Sequence, residues 1–86
     1  MAKQTFQINT TAAESASLSL EGVGGILIPI SVAVAGCDAL VDFGNEPNAD
    51  NGGVVPNGAI FKTMTLHGDK ASFKAISGSG WITFYY

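Results

Sequence analysis

Few residues in this chain could carry out chemistry. His67 is the only histidine and stands two residues before Asp69, in Leu66-His67-Gly68-Asp69-Lys70. A carboxylate can orient an imidazole for general-base work, but that work also needs a substrate pocket and a nucleophile within reach. The glycine and charges around it mark a hairpin tip, so His67 reads as a turn residue. Cys37 is the only cysteine, which excludes an intrachain disulfide and a cysteine zinc site. The charge of Asp38 raises a neighbouring thiol pKa, the opposite of what a reactive thiolate needs. Cys37 therefore reads as a small buried or turn residue.

Carboxylates recur at spacing four in Asp38, Asp42, Glu46 and Asp50. On a helix they would form an acidic stripe, but Phe43-Gly44 and Glu46-Pro47 break any helix there. Asn48, Asp50 and Asn51 ahead of Gly52-Gly53 have the composition of a calcium loop. Its ligand spacing and closing glutamate are missing, since Ala59 stands at the twelfth position, so the side chains read as makers of Asx turns. Asp42-Phe43-Gly44 matches the magnesium-binding tripeptide of kinases in a chain far too short for a kinase lobe. The sequence thus predicts no catalytic, cofactor-binding or metal site, and we read the chain as a non-enzyme. Trp81, Tyr85 and Tyr86 could stack on a sugar ring, although aromatics in a closing strand more often serve a core or a subunit interface.

Composition points toward partners rather than substrates. At 86 residues the chain reads as a single β domain over residues 1–86, near the lower limit for one hydrophobic core. Apolar residues make up 47% and charged residues only 13%, about half the usual share of roughly 25%. A small domain has much surface to cover, and this one has few charges to cover it with. The net charge is −3, with four lysines and no arginine, which argues against binding nucleic acid, where clustered bases must neutralise phosphates. Gly25-Ile26-Leu27-Ile28-Pro29-Ile30-Ser31-Val32-Ala33-Val34-Ala35-Gly36-Cys37 resembles the apolar part of an export signal with a lipobox. It begins late, follows Glu14 and Glu21 where bases belong, and contains Pro29. It is also shorter than the ~20 residues that span a bilayer, so no membrane association is expected. A single cysteine fits synthesis in a reducing cytosol.

The elements that must position these residues are strands. Residues 3–10 alternate, with Phe6 and Ile8 on one face. Residues 11–16 read as a loop, and residues 16–20 as a strand with Leu18 and Leu20 inward. A glycine-rich turn over 21–25 follows. The apolar run reads as two strand pieces, 26–28 and 30–35, bent at Pro29 to pass between two sheets. After a turn at Gly36-Cys37-Asp38 comes a strand over 39–43. A long turn segment over 44–59 includes a brief pairing at 53–55 and a turn at Pro56-Asn57-Gly58. Three strands close the chain, separated by turns at 66–70 and 78–80. The last six residues hold four of the eight aromatics. In that last strand Ile82, Phe84 and Tyr86 oppose Trp81, Thr83 and Tyr85. No segment carries a helical apolar period, and strands recur every 8–12 residues. The expected fold is all-β, an antiparallel β-sandwich of about seven short strands, jelly-roll-like or immunoglobulin-like.

Residues 38–86 also resemble a family of short virion proteins of tailed bacteriophages, of the capsid-decoration or head-fibre-base type. The resemblance rests on Leu40-Val41-Asp42-Phe43-Gly44, then Val55-Pro56-Asn57-Gly58-Ala59, then Lys74-Ala75-Ile76-Ser77-Gly78-Ser79-Gly80-Trp81-Ile82-Thr83. It covers a little over half of the chain, and an aromatic finish replaces the aliphatic one usual there. It implies a structural role on the capsid, neck or tail as a homo-oligomer, with a trimer favoured. The implied partners are the major capsid protein or other virion proteins, and the location is the virion, assembled in the host cytoplasm. The candidate interface residues are Phe6, Trp81, Tyr85 and Tyr86. A carbohydrate-binding module using the same aromatics is the alternative.

Overall fold

The computed structural model describes residues 3–11, 14–17, 27–44, 46–66 and 70–86. Among them the chain forms eight strands and one 3-10 turn. They are β1 (Lys3–Asn9), β2 (Glu14–Ser17), β3 (Leu27–Ala35), β4 (Ala39–Gly44), the turn (Ala49–Asn51), β5 (Gly53–Val55), β6 (Ile60–Leu66), β7 (Lys70–Ala75) and β8 (Ser79–Tyr85). They make two antiparallel four-stranded sheets. Sheet 1 has the order β1-β8-β3-β6, and sheet 2 has the order β2-β7-β4-β5.

The pairing has a simple logic. Strand β1 pairs with β8, β2 with β7, β3 with β6 and β4 with β5. The first half of the chain thus lies against the second half as one long antiparallel ribbon. Rolling that ribbon up brings β3 beside β8 and β4 beside β7, which closes the two sheets. This is the jelly-roll arrangement, and it decides between the two sandwich topologies that alternation alone leaves open.

The core follows from the alternation. Ile8, Ile82, Phe84, Val32, Val34 and Ile30 point inward from sheet 1, and Ala39, Val41, Val55, Ala71, Phe73 and Ala75 point inward from sheet 2. Four phenylalanines join the layers. The Phe73 ring centroid lies 5.1 Å from that of Phe6 and 5.4 Å from that of Phe84, and Phe43 meets Phe84 edge-on at 6.0 Å. Such tilted and edge-on pairs add to the burial of large apolar area.

The eight strands among the described residues agree with the all-β sandwich of about seven expected, and two finer expectations need correction. The run around Pro29 is one strand in one sheet, not two pieces crossing between sheets. Pro29 is tolerated because β8 pairs with β3 only from Ser31 onward, leaving β6 alone beside Pro29, and a missing N–H is cheapest where a strand has one neighbour. Strand β2 begins at Glu14, inside the stretch expected to be a loop up to residue 16, because residues 14–17 pair with β7 residues 70–73. Residues 18–20 of the expected second strand, with the inward Leu18 and Leu20, and the turn over 21–25 lie outside the described residues.

Candidate functional site: the outer face of sheet 1

The two sheets face each other through the core, so each has one outward face. On sheet 2 that face carries Leu40, Asp42, Ser72 and Lys74, with Val54 on edge strand β5 55% exposed, and the segment after β4 folds back over its Asp42 and Ser72 part. The Asp42 carboxylate accepts a hydrogen bond from the Asn48 N–H at 2.9 Å, and the Asn48 side-chain oxygen accepts from the Asp50 N–H at 3.1 Å. The Ser72 hydroxyl accepts from the Ala49 N–H at 3.2 Å. Ala49 is fully buried, and Ser72 is 3% exposed. Lys74 and Asp50 approach at 3.9 Å. The acidic spacing of four therefore serves turns, with Asp42 and Asn48 oxygens committed to backbone N–H groups. No group of three or more His, Cys, Asp or Glu among the described residues is gathered as a metal site.

The end of the sandwich near Cys37 is tied by a second polar cluster. The Asp38 carboxylate accepts from the Asn57 N–H at 2.7 Å, and the Asn57 side-chain oxygen accepts from the Gly36 N–H at 2.9 Å. The Gly58 N–H donates to the Val34 carbonyl and the Ile76 N–H to the Asp38 carbonyl, each at 2.9 Å. Gly58 takes φ +79°, a left-handed conformation that suits glycine. These residues fasten the turn at 56–59 to the turn at 36–38. Burial, and then the Asp38 charge, push the Cys37 thiol pKa up, so the thiol stays protonated and packs as a small apolar side chain.

Sheet 1 has no comparable cover among the described residues. Its outer face can be read as three rows across the strands. Gln7, Trp81 and Ala35 stand in register, then Thr5, Thr83, Ala33 and Ile60, then Lys3, Tyr85, Ser31 and Lys62. Trp81 is 53% exposed and Ile60 is 64% exposed. The two central strands carry no charge on this face, and the two lysines stand on the edge strands. No acidic residue among the described ones shares it. Beside it, on the opposite side of edge strand β6, Phe61 is 40% exposed.

The four aromatics named from the sequence fall on different faces. Trp81 and Tyr85 lie on the outer face of sheet 1. Phe6 points inward, packed on Phe73 and Phe84. Tyr86 packs against the core, and its hydroxyl accepts a hydrogen bond from the Gln4 side-chain amide. His67 and Asp69 lie outside the described residues. Sequence reasoning missed Ile60, whose place beside Ala33 follows from the β3–β6 register, and the small-residue floor of Ser31, Ala33 and Ala35. Inside an apolar run these three look like core positions.

Compared with protein-family models, with curated proteins and with solved structures, the chain matches none.

Proposed function

We propose that this chain is a structural protein of a bacteriophage particle, a capsid-decoration or head accessory protein that works by burying its surface against copies of itself and against the major capsid protein. One observation carries the reading: the uncharged centre of the outer face of sheet 1, with Trp81 half-exposed between Gln7 and Ala35. Interface centres are depleted in charge and enriched in aromatics, with charged residues at the rim, and this face has that composition. Apolar burial contributes roughly 25 cal/mol per Å², and repetition over many copies multiplies it without any catalytic group. The rolled topology supports the reading by analogy, since jelly rolls recur in viral capsid proteins.

The same topology recurs in lectins, and an exposed indole beside the Gln7 carboxamide favours a second reading, a carbohydrate-binding module for a host surface. The two separate experimentally. Particles from a phage culture that produces the chain are banded on a density gradient and probed with antiserum against it. Co-banding with filled particles, lost in the Trp81→Ser/Tyr85→Ser variant, is expected. A chain found only in the soluble fraction, with Trp81 emission that shifts on addition of a bacterial surface glycan, would replace the virion reading with the second.

A further inference from the structure

We infer that the outer face of sheet 1 is covered by the same face of a second copy of this chain, related by a two-fold axis that runs along the strands between β8 and β3. The inference rests on the assembly reading and gives it a specific occupant.

The argument starts from side-chain size. Strand β8 presents Trp81, Thr83 and Tyr85, a ridge with large residues at its ends. Its neighbour β3 presents Ala35, Ala33 and Ser31 in register with them, a trough of small residues. A two-fold axis between the strands lays each ridge in the other copy's trough. Trp81 then meets Ala35 of the second copy, Thr83 meets Ala33, and Tyr85 meets Ser31. Each contact is made twice, as a two-fold interface requires. The face is uncharged where this packing is tightest. Lysines occur only on the edge strands, so the same operation brings Lys3 of one copy near Lys62 of the other at the wet rim.

The area fits a weak pair rather than a permanent dimer. Four strands about 4.8 Å apart and seven residues of about 3.3 Å give a face of roughly 450 Å². Two copies together bury roughly 900 Å², close to the ~1,000 Å² at which specific interfaces begin. Such a pair dissociates on dilution and is held when many copies are tethered side by side.

Trp81 is the only tryptophan, so its emission reports directly on whether this face is covered. As the purified chain is concentrated toward about 1 mM, a range that reveals weak pairing, emission should shift to the blue while sedimentation shows a two-copy species. Trp81→Ser should weaken pairing at least about tenfold. So should Ala35→Leu, which fills the trough at an exposed position, with circular dichroism confirming that the sheets are intact. Salt should strengthen pairing by screening the two Lys3–Lys62 contacts, and Lys62→Glu should tighten it at low salt. A two-copy species indifferent to Ala35→Leu, or weakened by Lys62→Glu, would overturn this arrangement. So would a three-copy mass or a chain monomeric at 1 mM. A chain monomeric in solution that still co-bands with particles overturns the pairing and leaves the virion reading standing, whereas pairs found only in the soluble fraction do the reverse.

Discussion

The two outward faces of this sandwich are built from similar strands, but the chain roofs part of one, leaving Val54 exposed at its β5 edge, and does not roof the other among the described residues. Sheet 2 is roofed by its own chain, with a 3-10 turn seated on β4 and β7 through Ser72 and Asp42. Among the described residues nothing comparable covers sheet 1, whose half-exposed Trp81 stands beside the small residues Ala35, Ala33 and Ser31. The difference is one of polar groups. Ser72 and Asp42 give a returning loop acceptors for its N–H groups, without which a buried loop backbone would be costly. The central strands of sheet 1 offer hydroxyls at Ser79, Thr83, Tyr85 and Ser31 but no carboxylate, and the Thr83 hydroxyl shares a hydrogen bond with Thr5 at 3.1 Å. A face of that kind is better covered by side chains than by a loop.

The sharpest way to break the contrast is to lift the roof. A Cβ at Gly52 would lie 2.3 Å from the Val41 carbonyl oxygen and 2.5 Å from its carbon, whereas one at Gly53 meets nothing within 4 Å. The φ of Gly52 is −81°, so space and not backbone conformation demands glycine there. Gly52→Ala must push the loop away from β4. A loss of at least about 3 kcal/mol is expected in urea unfolding, a large part of a small domain's stability. Gly53→Ala should change stability by less than about 1 kcal/mol. Equal effects at the two positions would mean that the loop is not seated as described.

Next in size is the same chemistry tried on both faces. Ser72→Ala leaves the Ala49 N–H buried without its acceptor and should cost about 1–3 kcal/mol. On the bare face, Thr5→Val removes a hydroxyl from an exposed pair and keeps the branched shape, so a change within about 0.5 kcal/mol is expected. Urea midpoints measured side by side check both. A Ser72→Ala variant as stable as the parent would show that the roof does not depend on this bond.

How far the sequence foretells this contrast depends on the range over which the deciding residues act. The closing strands were legible because alternation and turn chemistry are local: Phe73 and Ala75 against Lys74, and Ile82 and Phe84 against Trp81, read directly as two faces. The turn at Pro56-Asn57-Gly58 was legible for the same reason, and the Ala59 N–H bonds to the Pro56 carbonyl at 3.1 Å. Period-two patterning cannot say which face of β8 meets the core, because both carry large side chains. The roof was illegible for a different reason. Ser72 and Ala49 are brought together only by the β4–β7 pairing, and nothing around Ser72 distinguishes it from a serine on a wet strand. The trough was hidden because Ser31, Ala33 and Ala35 alternate with Ile30, Val32 and Val34 in a run that looks buried on both sides. Pro29 misled by the same locality, since whether a strand has one neighbour or two at a given residue is a property of the sheet.

The smallest expected effect concerns the ion pair of Lys74 and Asp50 on the covered face. Lys74 Nζ and Asp50 Oδ1 lie 3.9 Å apart, with the two side chains 30% and 68% exposed. Exposed pairs at this distance contribute about 0–1 kcal/mol, because water and salt screen them and two flexible side chains must be ordered. The Asp50 backbone is held independently by the Asn48 cap. Lys74→Met should therefore shift stability by no more than about 0.5 kcal/mol, and raising the salt to about 1 M, where the Debye length is ~3 Å, should leave the roof in place. Loosening can be read from hydrogen exchange at the Ala49 and Asp50 amides, protected by Ser72 and Asn48 respectively. If exchange at both accelerates in Lys74→Met or in high salt, the loop is tethered by charge rather than by backbone hydrogen bonds. The contrast between the faces would then rest on the ion pair, which no acidic residue among the described ones on the outer face of sheet 1 could reproduce with Lys3 or Lys62.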